Sequence, residues 1–279
     1  MQNGVRSELP RDVYALSLLD WPSPVAANAR ATVLLVHGLG EHIGRYDGVA
    51  QRLMQAGFAV RGYDHVGHGL SGGRRGDLPQ PDRLLEDLGQ VIDATRRLPG
   101  RAATPLILLG HSMGGLVVAR AVAQKIRPVD ALVMSSPALA ASTNALQKFL
   151  LATLPRWFPH LCVDNGLDAQ WVSRSPQVVQ AYLQDPLVHR KISAGLAQWI
   201  LAEGAKTLAD APAWSTPSLL LYAGTDRLVD PRGSTRFAAQ APAACVQAQV
   251  FETMYHEIFN DPEAAQVFDV LIPWLTQRF

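Results

Sequence analysis

The chain has 279 residues, 48% of them hydrophobic and 18% charged, which is ample for a sizeable core and excludes a disordered chain. Its formal net charge of +1 offers no basic field, so Arg74-Arg75 and Arg96-Arg97 read as solvated surface and nucleic-acid binding is excluded. Cys162 and Cys245 make neither a disulfide framework nor a metal motif, no apolar run nears the ~20 residues that span a bilayer, and Met1 to Trp21 lack a signal-peptide core, so the expectation is a soluble cytoplasmic protein.

Along the chain, the stretch around Val13 to Leu18 predicts one or two antiparallel edge strands. Thr32 to Val36 predicts a buried strand, Tyr46 to Ala56 a helix stopped by Gly57, and Phe58 to Tyr63 a second strand. Asp82 to Leu98 reads as a helix, Pro105 to Leu109 as a strand, Met113 to Lys125 as a helix, and Ala131 to Met134 as a strand. The alternation resumes with a strand at Ser218 to Tyr222, a helix from Arg232 to Ala241, a strand at Val246 to Phe251 and a closing helix from Pro262 to Arg278. Strands and helices in this rhythm imply an α/β fold, a mostly parallel sheet covered by helices on both faces. Between about Pro137 and Pro212 the rhythm breaks. That stretch looks helical, lacks a good strand, and is rich in large apolar residues: Leu146, Phe149, Leu150, Leu154, Trp157, Phe158 and Leu161. It predicts a helical insertion, 137–211, lying over the carboxyl ends of the strands of a core made by 1–136 and 212–279. Its apolar residues could line an acyl tunnel or pack the insertion's own core, and helical spacing allows both.

Gly110-His111-Ser112-Met113-Gly114 sits where a buried strand meets a helix, the context of a nucleophile elbow. A serine hydroxyl needs a base, and the base needs an orienting acid. Asp226, in Gly224-Thr225-Asp226-Arg227, and His256, in Tyr255-His256-Glu257, both follow predicted strands and lie downstream of Ser112 in the order Ser, Asp, His. Asp230 is the rival acid, and its place beside Pro231 reads better as a helix cap. His37 and His111 read as packing or orienting groups; His42, His65, His68, His160 and His189 are weaker candidates for the base. Acyl transfer also needs two oxyanion donors. These are expected from the N–H of Met113, after the nucleophile, and of Leu39, in the glycine-bearing loop His37-Gly38-Leu39-Gly40.

His37-Gly38-Leu39-Gly40-Glu41-His42 followed by Gly44-Arg45-Tyr46, the run Asp64-His65-Val66-Gly67-His68-Gly69 with Ser71, the elbow, Gly224-Thr225-Asp226-Arg227-Leu228-Val229 and Tyr255-His256-Glu257 together resemble the motifs of monoacylglycerol lipases and lysophospholipase-like esterases. The likeness runs from Val33 to the C-terminus, is thin before Val33 and from Leu139 to Val178, and returns around Tyr182 and Asp185-Pro186-Leu187. It implies an α/β-hydrolase fold with a helical cap. It also implies a Ser112–Asp226–His256 triad, Leu39 and Met113 as oxyanion amides, and Glu41, Arg45 and Tyr182 near the glycerol end of the site. Animal members carry a further histidine three residues after the catalytic one; here that position is Phe259. No metal or cofactor is implied. The partner expected is a small lipid ester, cleaved to fatty acid and glycerol. A lysophospholipase or general carboxylesterase shares the same machinery, and a catalytically silent receptor on the same fold is the non-enzyme alternative. The resemblance leaves open a transient contact of the cap with a membrane surface. The Asp64–Ser71 loop reads as structural, with Asp64 serving neighbouring amides.

Overall fold

The computed structural model describes residues 4–22, 29–140 and 156–279. Ten strands run in chain order through the described residues: β1 (Val5–Pro10), β2 (Ala15–Trp21), β3 (Thr32–Val36), β4 (Ala59–Tyr63), β5 (Leu106–His111), β6 (Ala131–Ser135), β7 (Cys162–Asp164), β8 (Lys191–Ser193), β9 (Ser218–Ala223) and β10 (Val246–Phe251). The helices are α1 (Asp47–Gln55), α2 (Arg83–Arg96), α3 (Met113–Ala123), α4 (Pro176–Gln184), α5 (Ala194–Asp210), α6 (Pro231–Gln240) and α7 (Ala265–Thr276).

Eight strands form one sheet in the order β1-β2-β4-β3-β5-β6-β9-β10. The β1–β2 hairpin is antiparallel and joins β4 antiparallel, and every later pairing is parallel. The near-continuous apolar runs of β3, β5, β6 and β9 follow from this position, because a parallel strand inside the sheet is buried on both faces. Alternate residues feed two cores. Leu34, Val36, Leu106, Leu108, Leu132 and Met134 pack with α2 and α3 on one face. Val33, Leu35, Ile107, Leu109, Ala131 and Val133 pack with α1 and α7 on the other. Expected and observed elements agree to within a few residues at each end.

The strand order reverses at β3, which lies between β4 and β5. Val36 is in register with Tyr63 on one side and Gly110 on the other. The loops after β3 and β5 therefore open side by side at the carboxyl edge, where open α/β sheets place their sites.

Residues 156–211 lie outside the large sheet and differ from the expectation in two ways. Strands β7 and β8 pair antiparallel where no strand was expected. Three residues each are too few to show a period of two. Trp157, Phe158 and Leu161 neither line a tunnel nor pack a core; they are 76%, 61% and 46% exposed. Leu146, Phe149, Leu150 and Leu154 lie outside the described residues. Helix α5 is capped by Ser193, whose Oγ accepts from Leu196 N, and is bound to the elbow helix α3 through Arg120. The Arg120 guanidinium donates to Glu203 at 2.7 Å and to Asp210 at 2.6 Å. Glu203 also accepts from Lys206 Nζ at 2.7 Å, so the buried Arg120 and Glu203 each keep a second partner and the tie between α3 and α5 is a network of four charges.

Candidate active site

Strand β5 ends at His111, and the chain turns through Ser112 into α3. Ser112 adopts φ 54°, ψ −121°, a conformation that costs an L-residue about 1–3 kcal/mol and projects its side chain from the sheet edge. Its N–H donates to Ser135 O at 2.9 Å, and its own carbonyl accepts from Leu116 and Ala138. The glycines of the motif follow from space. A Cβ on Gly114 would stand 2.2 Å from Val36 O, and one on Gly110 would stand 2.3 Å from Gly114 O.

Asp226 follows β9 and His256 follows β10. His256 Nδ1–H donates to Asp226 Oδ2 at 2.6 Å, while Asp226 Oδ1 accepts from the amides of Leu228 and Val229 at 2.9 and 3.0 Å. Burial pulls the Asp226 pKa up, but His256 and these amides outweigh it and hold it below the ordinary carboxylate value. With the proton on Nδ1, the neutral imidazole carries its lone pair on Nε2, the nitrogen a serine proton would need. Burial lowers the His256 pKa, but Asp226, helped by Glu257 and Glu41, outweighs it and raises it above 6.5. Asp230 serves elsewhere, capping α6 by accepting from Arg232 N at 3.0 Å. The pH profile follows. A histidine base works only when neutral, so kcat/KM is expected to rise with pH through a midpoint above 6.5, higher than an unperturbed imidazole would give. A flat rate from pH 5 to 9 would contradict a histidine base.

The His111 ring faces the His256 ring at 4.6 Å between centroids, and its Nδ1 meets Ser135 Oγ at 3.1 Å. Burial lowers its pKa to about 3, so it stays neutral beside His256.

The β3 loop lies against Ser112: a Cβ on Gly38 would stand 3.1 Å from Ser112 Cβ. Gly38 N–H donates to Glu41 Oε1 at 2.7 Å. The next amide is that of Leu39, and Met113, first residue of α3, stands ahead of the helix's own hydrogen-bond ladder. Asp64 behaves as expected of a structural acid: its Oδ1 accepts from Ile43 N and its Oδ2 from Leu70 N.

Glu41, Arg45 and Tyr182 come together, but not as a row of side chains facing the cavity. Glu41 and Tyr182 line it, whereas Arg45 stands behind them. Arg45 donates to Glu41 Oε2 at 2.7 Å and to both oxygens of Glu257, at 2.6 and 2.8 Å, with its guanidinium 4.8 Å from the centre of the Tyr182 ring. The pair is therefore no exposed surface contact. Burial opposes the charge on Arg45, but Glu257 and Glu41 outweigh it and raise its pKa well above the ordinary value. Burial, with Glu41 and Glu257 nearby, raises the Tyr182 phenol to about 12 and keeps it a neutral hydroxyl. Glu257 is the residue that sequence reasoning missed. The four-residue spacing of Glu41 and Arg45 hints at their pairing, but nothing local links Arg45 to an acid 212 positions away.

Ser112, His256, Leu39, Met113 and Glu41 all open into one cavity of about 580 Å³. Its walls are mainly apolar: Leu139, Val172, Ile192, Ile200, Leu201 and Leu208, with Asn165, Glu41 and Tyr182 among its polar members. Ala197, Ile200, Leu201, Ala205 and Leu208 present one face of α5 to it, a stripe about 16 Å long at 1.5 Å per residue.

Comparison with known proteins agrees with this geometry. The family model described as Hydrolase_4: Serine aminopeptidase, S33 matches residues 27–263. The chain is 38% identical over 258 residues to a monoacylglycerol lipase of Mycolicibacterium smegmatis, covering 89% of each protein. Among solved structures, the monoacylglycerol lipase of Paleococcus ferrophilus superposes with a TM-score of 0.85 at 34% identity, over 95% of this chain and 99% of that one. A soluble variant of the Saccharomyces cerevisiae monoglyceride lipase, 21% identical, shares the fold with a TM-score of 0.90, over 100% of this chain and 96% of that one. The sheet order, the elbow and these relatives together show that the chain belongs to the Hydrolase_4 family of serine hydrolases, within the α/β-hydrolase fold and alongside the monoacylglycerol lipases.

Proposed function

We propose that this enzyme hydrolyses monoacylglycerols to fatty acid and glycerol, and that Ser112, His256 and Asp226 carry the reaction. The observation behind this reading is that the strained Ser112 and the Asp226-oriented His256 open into one largely apolar cavity with polar groups on part of its wall. Ser112 Oγ attacks the ester carbonyl as His256 Nε2 takes its proton. Asp226 steadies the imidazolium. The N–H groups of Leu39 and Met113 hold the oxyanion, in a place where such donors each supply about 10²–10³ in rate. The C–O bond then breaks, His256 returns the proton to the glycerol oxygen, and water releases the fatty acid by the same route.

Burial of the acyl chain along α5 contributes about 0.8 kcal/mol per CH₂, and a cavity of about 580 Å³ suits a substrate with one chain. Tyr182 reads the glycerol at the polar wall. Residues 137–211 act as a cap over a core formed by 1–136 and 212–279. Trp157, Phe158 and Leu161, exposed on that cap, suit transient contact with a membrane surface in the cytoplasm. No helix among the described residues is long and apolar enough to cross a membrane. An aminopeptidase would need an acid free to hold the substrate ammonium, but Glu41 and Glu257 on the cavity wall are both engaged by Arg45.

The test is a substrate panel at matched chain length: monoacylglycerol, diacylglycerol, triacylglycerol, lysophospholipid and an amino-acid anilide. Monoacylglycerol is expected to lead in kcat/KM, with the triacylglycerol and the anilide near background. A lead for lysophospholipid would reassign the head group, and a lead for the anilide would overturn the esterase reading. Within the panel, Tyr182→Phe should raise KM for monoacylglycerol and spare a simple aryl ester.

A further inference from the structure

One guanidinium joins three separate segments of the site. Through Glu41, which also accepts from Gly38 N and from Tyr46 Oη at 2.8 Å, Arg45 holds the loop bearing Leu39. Through both oxygens of Glu257 it holds the loop bearing His256, one residue away. Through the Tyr182 ring it meets α4. Glu257 is further pinned by Asn260 Nδ2 at 2.9 Å and by its own N–H on Val172 O at 2.8 Å. Every acceptor here is buried.

Resting on the serine-hydrolase reading above, we propose that Arg45 is a positioning residue, a cross-brace that sets the separation of the Leu39 amide from His256 and does not touch the substrate alcohol. Two features decide this against a glycerol-binding role. Arg45 lies behind the cavity wall, and its donors point at two carboxylates in a forked geometry that only a guanidinium supplies. The brace also carries an electrostatic consequence. The charged and titratable groups around it are Glu41 and Tyr46 on its own side, His37 after β3, Glu257, His256 and Asp226 on the strand-end loops, His111 at the end of β5, and Tyr182 and Asp185 above. Glu257 and Glu41 both raise the His256 pKa, and Arg45 offsets them.

The test uses the full-length enzyme and two substrates, a monoacylglycerol and an aryl ester without glycerol. Arg45→Met should lower kcat on both by about 10²-fold, the scale of an ångström-sized misplacement. It should also move the midpoint of the kcat/KM profile up by roughly one unit as the carboxylates lose their counter-charge. Arg45→Met/Glu257→Gln should bring the midpoint back toward wild type. Arg45→Lys keeps the charge and loses the fork, so it should fold, lose kcat on both esters and leave the midpoint nearly in place; it decides the matter if Arg45→Met does not fold. Losses confined to monoacylglycerol, or full kcat in Arg45→Lys, would overturn the brace. Failure of the underlying reading would look different, as wild type inactive on both esters.

Discussion

Ser112→Ala is expected to lower kcat by about a million-fold where chemistry limits turnover, while the sheet and its cores remain intact. The size follows from what the side chain does: without Oγ no acyl-enzyme forms, and only the oxyanion amides and binding remain to assist water. Asp226→Asn is the companion measurement. It should keep the fold and lower kcat by roughly 10⁴, because an amide at this position favours the wrong imidazole tautomer. Asp230→Asn should cost little, since asparagine also caps helices well. Single-turnover kinetics on an activated ester separates these cases. A Ser112→Ala enzyme with several per cent of wild-type rate, or an Asp230→Asn loss exceeding that of Asp226→Asn, would remove the corresponding assignment.

Acid should unfold this protein steeply. His37, His65, His68 and His111 are buried and neutral; burial lowers His37 and His111 to about 3 and holds His65 and His68 well below 6.5. A group whose folded pKa is depressed contributes stability fully above its unfolded value and loses it as pH falls. Below about 6.5 each histidine therefore takes away up to about 1.4 kcal/mol per pH unit. Four acting together would offset an ordinary domain stability of about 5–15 kcal/mol within a few pH units. His256, whose pKa is raised, works in the opposite sense and only above 6.5. Urea unfolding at pH 7, 6, 5 and 4.5 is expected to show a stability that falls more steeply below 6.5 than above it. Equal stability at 7 and 4.5 would mean these rings protonate inside the fold without penalty.

Those histidines also mark where sequence reasoning ends. The central strands β3, β5, β6 and β9 were legible because near-continuous apolar runs between turn signals fit little but a strand buried on both faces. The elbow was legible because its two glycines leave no space for a side chain. Asp226 and His256 stood out as candidates because each follows a strand run and the two come in the order acid, then histidine, after Ser112. His189, a weaker candidate for the base by sequence, donates from Nε2 to Gly67 O and lies 4.8 Å from the His68 ring, while its N–H donates to Gly40 O. His42 Nε2 likewise reaches Asp185 Oδ2 at 2.8 Å across 143 positions. Such ties have no local signature, since neither periodicity nor turn chemistry encodes which distant loop will arrive. The same holds for Glu257, whose neighbour in sequence is the base but whose partner in space is Arg45. The β7–β8 pair was missed for the opposite reason, being too short to leave a pattern.

The anchoring of α5 to α3 by Arg120 bears on how such an enzyme can diversify. Ser112, Asp226 and His256 sit at strand ends, whereas the apolar side chains of α5 that line the cavity sit along one face of a helix clamped by its opposite side. On the lipase reading, lengthening Ala197, Leu201 or Ala205 is expected to shorten the acyl chain that the cavity accepts. On that reading, chain-length preference would be set along α5 and the chemistry at the strand ends, so the two could change separately.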